Sequence, residues 1–522
     1  MGRKDYRIRG DFMRMKHSLL NMLVATIPSL ILPIIGFVKF SLFSDIYGGS
    51  INGLYSTMIQ IMAVLNLVEG GFGIAFQQIL YQPLAQNNYR KVTELYNGAI
   101  YLFRKMGLII FALGLVVGLV QPFFVSQEGG AISTFSIYSI YFLLLAPVVI
   151  SYFLMGPNIV VQADQQYYKI NLGIQLITLL RSILVIVIAM MGFSLEVVLV
   201  ADGILTIVSY VYSRNKALKL YPYLKDNKEA RDLSALENTK HVFVHKISGV
   251  VLSNTDPVLL TYFISPLMTN VYNAYNMICS SLIKVLYGVI QAPVDSFGNL
   301  FSSDENHKYS TFLQYANFAF FLSSIVSSVL FITANDFVRL WMKDELYVLS
   351  YFGGFLFTMN TYYLVSREPL LVVRNVNGLF KETKKIALLS ALTNLGISLL
   401  LVKPLGIVGI LLGTFLTHFI IDFFMSVQLV YPKVFDLPSW NYYKFVLLRT
   451  LIMFGLTFIG LLGWRMIFPT GVSHLVIWFI GAACLGLIIL ATYLVIYYLL
   501  FSDFRDFVQR SIKLFKRKKG NH

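Results

Sequence analysis

Charge is what this sequence has least of. Only 13% of its 522 residues are Asp, Glu, Lys or Arg, against about 25% in a soluble domain, and its mean hydropathy is +0.69. Residues 18–38, 106–127, 129–163, 257–283, 309–335 and 466–501 carry no charge at all. Cysteine is nearly absent. Cys279 and Cys484 both lie in apolar runs, which excludes a disulfide framework or a thiolate metal site. There is no GxxxxGK[ST], so no P-loop ATP hydrolysis, and no HExxH or CxxC. Of seven histidines only His418 falls deep in an apolar run, and a lone histidine there is more often a packing residue. No stretch is long enough for a sizeable soluble domain. The first apolar run, Leu19 to about Val38, is too long for the core of a cleavable signal.

What remains is a succession of apolar runs, and about 20 apolar residues cross a bilayer as a helix. Fourteen spans are expected, at 17–41, 51–75, 97–121, 135–157, 168–191, 194–214, 241–264, 268–290, 312–334, 348–371, 385–402, 406–428, 446–468 and 474–500. The fold class is therefore an all-α polytopic membrane protein. An even count puts both termini on one side. Of the 42 Lys and Arg, 35 fall on that side and five on the other, with Arg181 and Lys284 inside spans. The positive-inside rule makes the rich side cytoplasmic. The net charge of +16 is thereby explained by topology, with no need for nucleic acid. The longest outer loop is about fifteen residues, too short for the external catalytic segment that a membrane glycosyl polymerase or ligase needs.

Segments 17–214 and 241–428 share span count and orientation. Asn52-Gly53-Leu54-Tyr55 opens the second span and Asn270-Val271-Tyr272 the eighth. Phe72-Gly73-Ile74-Ala75-Phe76 and Phe297-Gly298-Asn299-Leu300-Phe301 close or follow the same spans. The expected organisation is a six-helix bundle over 1–215, a cytoplasmic linker over 216–240, a second six-helix bundle over 241–430, and two extra spans with a basic tail over 431–522. In transporters built from such repeats the substrate site lies between the halves and alternates its exposure.

Ionisable groups within spans cost several kcal/mol unless they meet a partner, water or substrate. Lys284 belongs to a stripe of the eighth span, Asn273, Asn276, Ser280, Lys284, Tyr287 and Gln291, spaced by three or four residues on one helical face. Such a face lines a cavity, or packs helices while the lysine snorkels; its extension past the lysine favours the cavity. Arg181, in the middle of the fifth span, needs a carboxylate, carbonyls or an anionic ligand, and Asp202 in the sixth span is the candidate carboxylate. Asp256 lies in Ser253-Asn254-Thr255-Asp256-Pro257, where proline frees a backbone carbonyl; this is a cation or proton site, or a kink held by side-chain hydrogen bonds. Glu69, before Gly70-Gly71, gates the cytoplasmic side or is an interfacial carboxylate. Gln60 and Asn66 add polar groups to the second span. Lys39, near the outer end of the first span, meets an anionic substrate or snorkels. With no ATPase motif, uphill transport draws on a Na+ or H+ gradient or on the substrate's own gradient.

Two stretches carry a resemblance. KFSLFSDIYGGSINGLYSTMIQIMAVLNLVEGGFGIAFQQILYQPLAQNNYRKVTELYNGAIYLFRKMG, from Lys39 to Gly107, and NTDPVLLTYFISPLMTNVYNAYNMICSSLIKVLYGVIQAPVDSFGNL, from Asn254 to Leu300, resemble the Wzx-type polysaccharide repeat-unit flippases of Gram-positive bacteria. The resemblance implies the multidrug/oligosaccharidyl-lipid/polysaccharide exporter fold. It implies export of undecaprenyl-pyrophosphate-linked oligosaccharide across the cytoplasmic membrane for capsule, exopolysaccharide or another wall glycan, alongside a glycan polymerase and glycosyltransferases and without an enzymatic step or cofactor. It further implies cationic cavity residues that hold a diphosphate, with Lys284 in the span where the related peptidoglycan-precursor flippases commonly place one. The middle of the first span departs from that pattern, because it is uncharged here. An ion-coupled multidrug antiporter of the same superfamily is the rival reading, and it would want net negative charge in its cavity.

Overall fold

The computed structural model describes residues 31–69, 72–125, 132–225, 230–234, 249–250, 254–291 and 308–509, without the side chains of residues 68, 69, 380 and 381. Every described element is helical. The described helices are α1 (31–47), α2 (Gly49–Leu65), α3 (Phe72–Ala85), α4 (Tyr89–Phe124), α5 (Thr134–Leu154), α6 (Gly156–Ala163), α7 (Tyr168–Met190), α8 (Leu195–Leu220), α9 (254–263), α10 (Pro266–Gln291), α11 (Lys308–Met342), α12 (Tyr351–Ser366), α13 (Glu368–Val376), α14 (Phe380–Leu405), α15 (Ile407–Leu416), α16 (Phe424–Phe435), α17 (Ser439–Ile467) and α18 (Leu475–Leu500), and the expected residues 17–30, 241–248 and 251–253 lie outside the described residues. A π-helical segment, Thr417–Phe423, joins α15 to α16. Among the described residues nine helices are long and apolar enough to cross a membrane. The protein is an all-α polytopic membrane protein.

Several spans are broken, and each break has a local cause. The second span stops at Leu65, makes a 3-10 turn at Asn66–Glu69 and resumes as α3 beyond Gly70-Gly71. The fourth ends at Leu154 and continues as α6, whose first turn holds Pro157. The tenth ends at Ser366 and continues as α13, whose first turn holds Pro369. Proline fits a first turn because its missing N–H has no helical partner there. The last two breaks are equivalent in sequence as well. Pro157 is followed by buried Val160-Val161 and Pro369 by buried Val372-Val373.

The chain forms two compact units, Met1–Asn270 and Val271–His522. The division falls later than the 216–240 connection because α9 and the first turn of α10 pack on α2. Gly53 makes this approach possible: a Cβ there would collide with the Pro266 carbonyl. Along that contact run Thr57, Thr261 and Thr269, with hydroxyls 2.5 Å and 2.7 Å apart in sequence. Asn52 donates to Asn270 Oδ1 at 3.0 Å, and both amides donate to Ser44 Oγ at 2.9 Å. Asn52 and Asn270 are the residues that open the second and eighth spans in the repeat, and here they meet. In lipid, where apolar burial cannot drive helices together, such polar bonds and small residues do. The same logic pairs α4 with α5, where Gly114 and Gly118 admit Leu145 and Tyr141, and the Tyr141 hydroxyl bonds to the Gly114 carbonyl at 2.9 Å.

In the second unit α11 is the hub. Its serines dock the last two helices: Ser328 lies 2.7 Å from the Thr457 hydroxyl of α17 and 3.0 Å from that of Tyr493 on α18, and Ser324 lies 3.5 Å from that of Tyr497. The opposite side of α18 is apolar and open, with Val476, Ile480 and Leu487 all more than half exposed. That is the pattern of a helix with one face on protein and the other on lipid.

One tie lies outside the spans. Asp232 pairs with Lys91 at 2.7 Å, its backbone N–H bonds to the Glu94 carbonyl at 3.0 Å, and Gly98 lets the segment lie against α4. Burial pushes the Asp232 carboxyl up, but the Lys91 ammonium and the Ser234 N–H outweigh it and hold the carboxyl below its ordinary value of 3.8. A carboxylate with a depressed pKa stabilises the fold above its unfolded pKa, and that contribution is lost as pH falls through the folded value. The tie should therefore hold at neutral pH and open below pH 3.8. Hydrogen exchange at the Asp232 and Ser234 amides measures this; protection unchanged at pH 3 and pH 7 would contradict it.

Candidate functional site

Lys39 does not stand at the end of its helix. α1 continues to Tyr47 before the turn at Gly48, where φ is +89°, so Lys39 sits about two helical turns inside that turn. Its ammonium donates to the Tyr55 hydroxyl at 3.1 Å and lies 4.9 Å and 5.2 Å from the Phe43 and Tyr55 ring centres. Aromatic faces solvate a cation without neutralising it. Lys39 has no carboxylate partner among the described residues.

Lys284 is exposed on α10 and makes no ion pair or hydrogen bond among the described residues. Asn273, Asn276 and Ser280 share its accessible face and are half-buried. The Asn273 amide nitrogen is enclosed without a hydrogen-bond partner. Tyr287 leaves the stripe: its hydroxyl donates to the Leu364 carbonyl at 3.1 Å, so it serves packing. Gln60 is half-buried on α2. Asn66 is taken up by the Tyr152 hydroxyl, which donates to it at 3.0 Å.

Arg181 is brought together with Asp202, Nε to carboxylate 3.6 Å, and donates to the Thr206 hydroxyl at 2.5 Å. Its charge is thus balanced inside the first unit, unlike those of Lys39 and Lys284. Asp256 is buried in α9, 4% exposed, and the carbonyl of the following Pro257 accepts from Thr269 at 3.2 Å. Glu69 closes the 3-10 turn after α2; its side chain lies outside the described residues.

Two features were not expected from the sequence. The first unit contains a cavity of about 310 Å³ where α3, α4, α6, α7 and α8 meet, with Gln77, Asn158, Gln162, Tyr167, Ser209 and Tyr210 in its wall. No residue that lines it carries a charge. Amides, hydroxyls and tyrosine rings suit a neutral hydroxyl-rich group, and the volume falls at the lower end of small-molecule pockets, about 300 Å³. The second unit encloses an ion pair, Arg367 with Asp422, beside His418. The signal available was His418 and Asp422 at a helical spacing of four in one apolar run.

No protein-family profile matches the chain, and no curated protein matches it. Solved structures do. One is the lipid II flippase MurJ in an inward closed conformation, 14% identical, covering 91% of this chain and 99% of that one with a TM-score of 0.64. A second is an inward-facing multidrug resistance MATE family transporter of the MOP superfamily, 13% identical, covering 77% and 98% with a TM-score of 0.56. A mutant of the Vibrio cholerae MATE transporter VcmN, 15% identical, covers 82% and 100% with a TM-score of 0.51. The chain has the fold of these transporters. At these identities the likeness fixes the architecture and leaves function to the chain's own side chains.

Proposed function

We propose that the protein is a flippase, with both termini cytoplasmic, that carries undecaprenyl-pyrophosphate-linked oligosaccharide repeat units from the inner to the outer leaflet by alternating access. The observation that carries this reading is the pair of helical cations, Lys39 and Lys284, that lack carboxylate partners among the described residues. A cation kept at membrane depth without a counter-ion favours an anionic cargo, and a pyrophosphate supplies one in a partly dry site where the attraction is strong. The uncharged cavity with Gln77, Asn158 and Tyr210 offers hydrogen bonds and ring faces to sugars. The similarity to MurJ spans more of the chain than either MATE similarity quoted above, and MurJ is described as a lipid II flippase. Arg181, paired with Asp202, is left to structure in this account.

Each charge-assisted contact to phosphate contributes about 1.5–3 kcal/mol, which is roughly a 10- to 100-fold change. Lys39→Gln and Lys284→Gln should each lower glycan export by that order in cells depleted of the wild-type protein, and Lys39→Arg should retain most of it. Membrane levels of each variant, read by immunoblot, separate transport from folding. Full export by both glutamine variants would remove the phosphate assignment and favour a cation antiporter.

A further inference from the structure

Each unit carries a cavity beside a broken span, and the two cavities differ. In the second unit the break between α12 and α13 sets Arg367 against Asp422 of the π-helical segment. The pair stands in the cavity, and only about 20 Å³ is left, with Leu370, Leu371 and Ser426 also in the wall. In the first unit the break between α5 and α6 has the same local sequence: Pro157-Asn158-Ile159-Val160-Val161 matches Pro369-Leu370-Leu371-Val372-Val373. That match sets Met155 at the position of Arg367, and Asn158 and Ile159 at those of Leu370 and Leu371. Ser209 and Ser213 of α8 line the first cavity at the spacing with which Asp422 and Ser426 line the second. With methionine and serine in place of arginine and aspartate no ion pair forms, and about 310 Å³ stays open.

The open space has polar groups without protein partners. Gln77 of α3, Gln162 of α6 and Ser209 make no side-chain hydrogen bond among the described residues. Ser213 donates to Asn158 Oδ1 at 2.6 Å, which leaves the Asn158 amide nitrogen to donate elsewhere. A primary amide presents a donor and an acceptor side by side, the complement of two neighbouring hydroxyls on a ring. Phe103, Ile159 and Ile174 in the same wall suit the C–H face of that ring. The charged residues next to the wall along the chain are already engaged: Asp164 accepts from Tyr221 and Gln166, and Arg181 pairs with Asp202. A charged ligand would enter without a counter-ion, at a large desolvation cost.

We propose that this cavity is a sugar-specificity site: it takes one uncharged pyranose ring, with ring hydroxyls on the Gln77 and Gln162 amides and the Ser209 hydroxyl, and rejects a ring that bears a carboxylate. The proposal deepens the flippase reading and rests on it for the origin of the ring, which belongs to the cargo's oligosaccharide. Export would then depend on a neutral sugar in the repeat unit.

The test uses the full-length protein in lipid nanodiscs and ligand-observed saturation-transfer NMR. The probes are the methyl glycosides of glucose, galactose, N-acetylglucosamine and rhamnose, with methyl glucuronide and methyl galacturonide as the acidic counterparts of the first two. Saturation should reach at least one neutral glycoside and neither acid. Gln77→Leu with Gln162→Leu should weaken that binding roughly tenfold, for two lost hydrogen bonds. Met155→Arg with Ser209→Asp, which copies the second unit's pair into the first cavity, should abolish it and serves if the leucine variant fails to fold. Saturation of none of the four neutral glycosides, saturation of the acids as strong as that of the neutral rings, or binding unchanged in both variants would mean a hydrated cavity only and would overturn the proposal. The two readings fail separately. Neutral glycoside binding by a protein whose depletion leaves lipid-linked oligosaccharides unchanged would remove the flippase and keep the site. Accumulation of those lipids on depletion, without glycoside binding, would do the reverse.

Discussion

Gly53→Leu should reduce export at least tenfold while the protein still reaches the membrane. The reason is backbone against backbone. A Cβ at position 53 meets the Pro266 carbonyl and, 3.2 Å away, the Asn270 amide nitrogen, and no flexible side chain lies between to yield. α2 must then part from the 254–270 segment. That removes the Asn52–Asn270 bond, the Asn270–Ser44 bond and the Thr57–Thr261 contact. At about 0.5–1.5 kcal/mol each, their loss exceeds the 1.4 kcal/mol or so that shifts a two-state equilibrium tenfold. With the termini cytoplasmic, as proposed, the α1–α2 turn belongs to the outer side of an alternating-access cycle, so the variant should sit with that side open. Labelling of a cysteine placed at Ser44, from outside, should rise as export falls. A variant with wild-type export and unchanged labelling would show that this contact is not part of the cycle.

The second large effect is on stability. Asp422→Ala leaves Arg367 enclosed without its counter-ion, and breaking a buried pair on one side costs about 3–5 kcal/mol. The two side chains retain 24% and 20% of their exposure, so the lower end is expected, about 3 kcal/mol. Removing both charges together, with Arg367→Met and Asp422→Leu, should recover most of that loss, since no unpaired ion remains. Thermal unfolding in detergent compares the three proteins. A single variant as stable as the wild type would mean that water reaches the pair freely. A double variant no better than the single would mean that the pair is needed for packing.

The span plan was legible because lipid imposes a simple rule: about 20 apolar residues per crossing, with basic residues between. Arg181 and Asp202 could be paired from sequence because each is a rare charge inside a span, and adjacent antiparallel helices bring them to one depth. The polar contacts that assemble the helices were not legible. Ser324 and Ser328 read as neutral within an apolar run, and only their tyrosine partners on α18 show what they do. The end of α1 was not legible, because it runs on through Ser41, Ser44 and Asp45, residues that look like a loop but fit a helix once Asn52 and Asn270 bind Ser44. The hydrogen bonds of Asn66 and Tyr287 were not legible either, since spacing places a residue on a face without saying what its far end reaches. The Arg367–Asp422 pair was not legible, because Arg367 stands where the tenth span bends, and a bend carries the charge inward to Asp422.

The central claim is that the cargo is a lipid-linked oligosaccharide. Mass spectrometry of lipids extracted from the native host after depletion of this protein tests it directly. The account predicts accumulation of an undecaprenyl-pyrophosphate oligosaccharide together with loss of the matching surface glycan. Unchanged lipid intermediates and an unchanged surface glycan, in a host whose other flippases of this fold are also deleted, would contradict it.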